Sequence, residues 1–249
     1  MGNRANHTWL GFLLLGVFLS AGIIIATLVI AKTVERVKFQ NQRIQVKGFA
    51  ERTITSDIAL WKGQITARSP ELVTAYDNLQ EDLEKVLSYL QQQGIKKEDI
   101  AIPAVETTVQ YKRTEKGMIT NVVDGYILGQ TVGITSPNVE HIADIANEAT
   151  ILIKKGIEFV SFPPQYFYTK LDNMKIELLG EATKNAGMRA EQLAENSGSE
   201  VGTLKYASQG VFQITPVYST KVSDYGIYDT TTIKKSVKAV VTMEYSIIR

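Results

Sequence analysis

The most strongly patterned part of the chain is an apolar run close to its start. Residues 9–31 (WLGFLLLGVFLSAGIIIATLVIA) contain no charged side chain. At about 1.5 Å per residue, a helix of this length crosses a ~30 Å hydrocarbon core. Residues 1–8 form a short tail before the run, and residues 32–42 form a polar linker after it. The pattern therefore predicts a single-pass transmembrane anchor.

A secretory signal is the alternative interpretation of the same run. The apolar region of a signal peptide is usually about 7–15 residues long and is followed by a small-x-small cleavage site. The run is longer than this, although Val29-Ile30-Ala31 is an acceptable sequence for a signal-peptide cleavage site. The length favours an anchor or an uncleaved signal and leaves cleavage open.

Beyond residue 42, stretches that alternate apolar and polar residues are separated by stretches with helical periodicity. The alternation predicts strands over residues 43–50, 54–68, 101–114, 119–135, 157–169, 201–214 and 235–248. Pro163-Pro164 predicts a break, at a sheet edge or a bulge, within the strand over residues 157–169. The helical spacing predicts helices over residues 70–93, 137–156 and 171–196. From residue 54 the order is β-α-β-β-α-β, the split pattern of ferredoxin-like domains, followed by a third long helix and a C-terminal antiparallel strand pair. The predicted class is α+β, with one domain over residues 43–249.

Two of these elements also show which face should be buried. The first helix has an apolar seam at Leu72, Tyr76, Leu79, Leu83, Val86 and Leu90. The strand over residues 101–114 places Val105, Thr107, Val109 and Tyr111 on one face.

Charge and composition restrict the partners. The 27 Lys and Arg residues oppose 26 Asp and Glu residues, and Arg4 is the one charged residue among the first 31. The rest of the chain is electrically neutral, which argues against a nucleic acid partner because phosphate binding needs clustered positive charge. Cysteine is absent from the sequence, which excludes disulfides, thiol catalysis and cysteine-ligated metals.

Residues suited to catalysis are few. His141 is the one histidine beyond the predicted anchor, and Glu140 or Asp144 could orient it as a general base. A solvated position is the alternative, because His141 lies outside the apolar stripe that contains Ile142 and Ile145. The chain has no nucleophile elbow, phosphate-binding loop or dinucleotide fingerprint. We therefore expect no enzyme activity, no catalytic residue and no cofactor.

Metal ligands are equally scarce. Asp224 and Asp229 could offer carboxylates to a calcium ion, but the spacing of an EF-hand loop is missing. We interpret their segment as a polar loop and expect no metal.

A stripe of small residues marks the third predicted helix. Ala182, Ala186, Ala190 and Ala194 recur every four residues and so share one face. Small side chains let another backbone approach closely. The stripe could pack on the protein's own sheet or form a contact between subunits, so the four alanines are candidate self-association residues of a homo-oligomer.

A long segment with three tyrosines separates the last two predicted strands. Residues 215–234 contain Tyr218, Tyr225 and Tyr228. Exposed tyrosines can anchor interfaces or stack on sugars. The segment is therefore the candidate loop for a small-molecule, glycan or peptide ligand, and an ordinary exposed loop is the alternative.

Several short segments, in order along the chain, resemble one protein family. They are Lys47-Gly48-Phe49-Ala50, Asp57-Ile58-Ala59, Gly125-Tyr126, residues 130–134, and residues 178–210 with Gly198 and Gly202. Together they are similar to the SIMPL-domain family of exported bacterial proteins, which includes oxidative-stress defence proteins and periplasmic immunogenic antigens. The likeness covers about residues 43–249, and none of its segments is a catalytic signature.

The resemblance implies an exported α+β domain, self-association and a link to envelope stress, with no active-site residue to transfer. Lys32, Arg36, Lys38 and Arg43 favour a cytoplasmic domain by the positive-inside rule, but the resemblance outweighs them. We expect a single-pass protein of the cytoplasmic membrane with residues 32–249 on the periplasmic side. Its expected function is that of a non-enzymatic envelope scaffold or stress-protective module. A ligand-binding module that uses residues 215–234 is the alternative.

Overall fold

The computed structural model describes the backbone of residues 5–40 and 42–248, and the side chains of residues 12–33 and 42–248. Helix α1 (Ala5–Gln40) comes first. Its segment Phe12–Thr33 is long and apolar enough to cross a membrane, and no part of that segment is buried by the rest of the chain. Residues 32–40, predicted as linker, continue this helix.

The remaining helices and strands follow the predicted order, but the helix predicted over residues 137–156 and the strand predicted over residues 201–214 are each divided into two. In order they are β1 (Arg43–Thr55), β2 (Ile58–Ser69), α2 (Leu72–Gln92), β3 (Ile100–Ala101), β4 (Glu106–Arg113), β5 (Ile119–Ser136), α3 (Val139–Glu148), α4 (Ile151–Lys154), β6 (Glu158–Ser161), β7 (Gln165–Phe167), α5 (Leu171–Glu195), β8 (Glu200–Gln209), β9 (Gln213–Pro216), β10 (Ile227–Tyr228) and β11 (Lys234–Ile248). The α+β class is confirmed.

The strands form two sheets. One has the antiparallel order β3-β5-β2-β6, with β4 also paired to β5 and β7 also paired to β2. This order, with α2 and the α3–α4 pair as connections, is that of the predicted split β-α-β-β-α-β pattern. The other sheet has the order β1-β11-β9-β10, and β8 pairs antiparallel with β11 as the C-terminal strand pair.

The chain divides into two compact units. The first comprises the described residues up to Ala50, then Leu179–Gly210, and the described residues from Val240 onward. The second comprises Glu51–Leu178 and Val211–Ala239. The region predicted as a single domain, residues 43–249, therefore contributes to both units, and β1, α5 and β11 have residues in each.

The core of the second unit lies between α2, α3 and one face of the β3-β5-β2-β6 sheet. Trp61 is fully buried at its centre, and its indole N–H donates to Ser161 Oγ over 2.9 Å. Helix α2 buries six residues, which are Ala75, Leu79, Leu83, Val86, Tyr89 and Leu90. Leu72 and Tyr76 are exposed, because the buried stripe starts one turn later than predicted.

Proline interrupts two of the predicted strands. Pro103 lies between β3 and β4, and Pro163-Pro164 lies between β6 and β7. Proline has no N–H to donate to a strand neighbour, so the pairing stops on either side of it. The second break agrees with the prediction, whereas the first splits a strand that was predicted to be continuous over residues 101–114.

Candidate functional site

The tyrosine segment forms a surface loop between β9 and β10. Tyr218 and Tyr225 lie on this loop and are 97% and 98% exposed. Tyr228 lies on β10 and is half exposed. Tyr218 also has a φ of +67°, a conformation that costs free energy in a bulky residue. All three tyrosines thus lie at the surface, and β9, β10 and β11 occupy parts of the range 215–234. Ligand binding by this segment stays a prediction.

One buried amide holds the base of this loop. Gln213 is buried on β9, and its Nε2 donates to the Ser223 carbonyl over 2.6 Å. The Ser223 N–H donates back to Gln213 Oε1 over 3.4 Å. Ser223 Oγ in turn accepts from the Tyr225 N–H over 3.3 Å. Side-chain bonds to the main chain thus give the loop a defined course while its tyrosine rings point to solvent.

The loop is followed by a buried ion pair. Lys235 Nζ lies 3.3 Å from Asp229 Oδ2, and these side chains are 2% and 8% exposed. Lys235 also donates to the Thr232 carbonyl. The hydroxyls of Thr231 and Thr232 donate to the two carboxylate oxygens, so each oxygen of Asp229 accepts at least one hydrogen bond.

The surroundings of this pair shift both groups. Burial opposes the ionisation of Asp229, but hydrogen bonds from Thr232 and Thr231 and the charge of Lys235 outweigh it and lower the pKa of Asp229 to about 2. Burial lowers the pKa of Lys235, and Asp229 opposes that shift. The carboxylate is fully engaged within the chain, so Asp229 is not placed to bind calcium together with Asp224.

The sequence pattern does not indicate this ion pair. Lys235 opens a strand beside a second lysine, a position typical of a solvated side chain. Three threonines follow Asp229 directly, and hydroxyl residues just after an aspartate are a signal for a local turn. That signal indicates the turn but does not indicate that a lysine six residues along the chain is buried against it.

His141 has a structural partner. It is half-buried at the start of α3, where its ring Nε2–H donates to the Gln93 carbonyl over 2.9 Å. Gln93 is the C-terminal cap of α2, so the ring satisfies a carbonyl that the helix leaves open. In the described part of the chain no hydrogen bond joins this ring to Glu140 or Asp144. The position is neither fully solvated nor that of a base oriented by a carboxylate.

The described residues contain no group of three or more His, Cys, Asp or Glu side chains that could hold a metal ion. A concavity of about 410 Å³ lies on the face of β2 and β5 opposite the helices. Lys62, Gln64 and Thr131 contribute to its lining, and Gly129 and Gly133 leave space in its floor because they carry no side chain. Its lining mixes these polar groups with apolar side chains such as Leu60 and Phe162.

The alanine stripe is covered by the chain itself. Ala182, Ala186, Ala190 and Ala194 are 0–1% exposed. Within the first unit, the backbone of β1 at Gly48 lies against the helix: an added Cβ there would be 2.5 Å from Ala186 N and 2.7 Å from Ala186 Cβ. The structure thus places the stripe in intrachain packing, and a second copy could reach Ala186 only by displacing β1.

Comparison of the chain with known protein families agrees with this architecture. The fold is an α+β domain preceded by an apolar helix. A family model, SIMPL, described as a protein of unknown function (DUF541), matches residues 44–245. That range is most of the chain, so the chain belongs to the SIMPL family. No curated protein shows a significant match.

The family segments have structural roles here. Gly48 permits the close approach of β1 to α5, and a Cβ at Gly202 would lie 2.6 Å from Ser246 Oγ of the neighbouring strand. Asp57 accepts from the N–H and the hydroxyl of Thr169 over 2.8 and 2.7 Å. A SIMPL domain behind an apolar N-terminal helix fits a membrane-anchored envelope protein.

Proposed function

We propose that this protein is a single-pass envelope protein whose SIMPL domain lies on the periplasmic side of the cytoplasmic membrane and acts without catalysis. One observation carries the proposal: no residue of the apolar segment Phe12–Thr33 is buried by the chain, and the segment precedes the SIMPL region. An exposed apolar surface of this size is costly in water and favourable in a bilayer. The helix therefore acts as an anchor and not as part of the core.

A non-enzymatic role is supported by how the reactive side chains are used. His141 satisfies a helix end, and Asp229 and Lys235 satisfy each other. We propose that the domain acts as a scaffold or stress-protective module and that copies of it associate. The alanine stripe is buried, so this association uses another surface.

Membrane fractionation tests the anchor. The full chain, expressed in a bacterial host, should remain in the membrane pellet after extraction with alkaline carbonate and should enter the soluble fraction in detergent. Its mass should correspond to the uncleaved chain. Release by carbonate, or a mature form that begins near residue 32, would contradict the anchor.

Multi-angle light scattering of the full chain in detergent tests the association. We expect a protein mass above that of one chain, after subtraction of the detergent. A monomer at every protein concentration would contradict the scaffold.

A second function is favoured by the tyrosine loop. Tyr218 and Tyr225 present nearly their whole surface to solvent on a loop whose course is fixed by Gln213. Rigid exposed aromatic side chains suit stacking on a sugar ring. A thermal-shift panel of soluble oligosaccharides should show a stabilising glycan for the wild type and none for the Tyr218→Ser/Tyr225→Ser variant. The absence of any shift with wild type would count against this function.

A further inference from the structure

The β4–β5 hairpin extends past its own sheet. Strand β2 pairs with β5 from Ser136 back to Tyr126, whereas β4 continues to pair with β5 as far as Ile119. Residues 106–125 therefore form an arm whose outer part is only two strands wide. All eight residues of β4 are exposed. Two-stranded hairpins are marginally stable in water, so an arm of this kind gains from a partner.

One face of the arm is apolar and only partly covered. Val109 and Tyr111 project on the same side of β4, and their pairing partners on β5 are Tyr126 and Val123. Val109 is 37% exposed and Ile119, farther out, is 66% exposed. The alternation in β4 is that of a half-buried strand, yet the described part of the chain leaves every residue of β4 exposed.

The outer edge of β4 is open to pairing. In the described part of the chain β4 pairs only with β5. Natural edge strands are usually protected by charges, proline or a bulge. The centre of β4, residues 107–111 (TTVQY), has no charge and no proline, and the register shifts place the extra residues in β5 and leave β4 regular.

We propose that β4 pairs antiparallel with β4 of a second copy of this chain, joining two arms into a continuous sheet. This inference rests on the self-association proposed above and assigns its surface. The occupant follows from charge complementarity. The strand begins with Glu106 and ends with Lys112 and Arg113, so an antiparallel copy brings acid opposite base at both ends.

Symmetry and charge together select the register. Two identical antiparallel strands related by a two-fold axis must have one residue opposite its own copy. With Val109 at that position, Glu106 faces Lys112 of the other copy and Thr107 faces Tyr111. Centring the pair on Gln110 would place Glu106 opposite Thr114, outside the strand, and would lose the charge match. The register centred on Val109 is therefore preferred.

The anchor favours such pairing. Copies held in one membrane have a much higher effective concentration than copies free in solution, so a modest edge contact is enough to associate them. Every hydrogen bond of the paired edges is main chain to main chain, as in other cases of strand addition.

Cysteine cross-linking tests the register, and the natural chain offers a clean background because it has no cysteine. Val109→Cys in the full chain should form a covalent dimer in membranes under mild oxidation, or with a short bismaleimide if the thiols lie too far apart for a disulfide. Val160→Cys is the matched control, because Val160 is an exposed valine on β6 at the opposite edge of the same sheet. It should remain monomeric.

A charge exchange tests the pairing by a different route. Glu106→Lys and Lys112→Glu should each weaken self-association about tenfold, since like charges then face each other at two symmetric positions. Mixing the two variants should restore association, because each 106–112 pair across the mixed dimer is again of opposite charge. The Glu106→Lys/Lys112→Glu double variant should associate like the wild type.

The outcomes separate this inference from the function on which it rests. Cross-linking at residue 109 with rescue on mixing supports the β4 pairing. Self-association of the wild type with no cross-link at residue 109, or with cross-linking at residue 160 instead, overturns the pairing and leaves the scaffold proposal intact. A wild type that is monomeric in membranes overturns both.

Discussion

At the scale of single residues, Gly48 of β1 lies close to the backbone of α5 at Ala182 and Ala186. A methyl group at position 48 would be 2.5 Å from Ala186 N, and because this atom belongs to the helix backbone it cannot move aside cheaply. Gly48→Ala should lower the free energy of unfolding by about 3 kcal/mol, at the upper end of overpacking effects. A fall in the thermal midpoint of the detergent-solubilised chain measures this.

Gly180→Ala is the matched control for that substitution. Gly180 lies within α5, and nothing is within 4 Å of the position that its Cβ would occupy. Alanine in a helix interior is favoured over glycine by up to about 1 kcal/mol, so this variant should be as stable as the wild type or more so. If both variants had the same midpoint, the close approach at Gly48 would be refuted.

The buried ion pair gives a second prediction. Asp229→Asn removes the charge opposite Lys235 and leaves the ammonium group buried without an anion. Loss of one partner of a buried pair costs about 3–5 kcal/mol, so the thermal midpoint should fall clearly at pH 7. Asp229→Asn/Lys235→Met should be more stable than Asp229→Asn alone, because it leaves no unpaired charge. Equal midpoints for the two variants would contradict the pairing.

The same carboxylate predicts an acid response. Asp229 has a pKa of about 2 in the folded chain and about 3.9 when unfolded, so its contribution to stability is present above the unfolded value and disappears as the pH falls through 2. The thermal midpoint of the wild type should decrease from about pH 5 downward. Asp229→Asn should show a smaller decrease over that range, and an identical acid profile for both would exclude this origin.

At the scale of elements, helix α5 shows how a stripe of small residues should be interpreted. Ala186 is fully buried against β1, so Ala186→Leu should lower the thermal midpoint through overpacking of about 1–3 kcal/mol. Lys184→Leu, at an exposed position of the same helix, is the control and should have little effect. A variant Ala186→Leu that keeps its midpoint but loses self-association would instead indicate a contact between copies.

The sequence is informative about elements because periodicity is a local property. The order of strands and helices, the α+β class and the break at Pro163-Pro164 could all be predicted from it. The exposure of β4 could not, because Val109 and Tyr111 alternate with polar residues as they would in a covered strand. Whether the apolar face of a strand is covered depends on elements distant in the sequence or on a second chain. The local alternation of residues carries no information about either.

For the candidate site, the sequence likewise predicts the surface position of its tyrosines but not the side-chain contacts around them. The tyrosines of residues 215–234 could be placed on the surface because glycine and polar residues surround them. The role of Gln213 could not, since one glutamine in a strand carries no sign that its amide holds a loop. The pairing of Lys235 with Asp229 was likewise hidden, because both residue types are ordinarily solvated.

At the scale of the whole molecule, the function rests on which side of the membrane the SIMPL domain occupies. The basic residues after the apolar run favour the cytoplasm, whereas the proposed envelope function requires export. Long domains often cross the membrane despite such charges, so we take the domain to be periplasmic. A scaffold or stress-protective role in the envelope requires this side.

The most direct test of this claim is labelling of a single cysteine in intact cells. Tyr225→Cys places the thiol on a fully exposed loop in a chain that otherwise has none. We predict that a maleimide which passes the outer membrane but not the cytoplasmic membrane labels this variant without permeabilisation, to the same extent as after lysis. Labelling only after lysis of the cytoplasmic membrane would place the domain in the cytoplasm and contradict an envelope function.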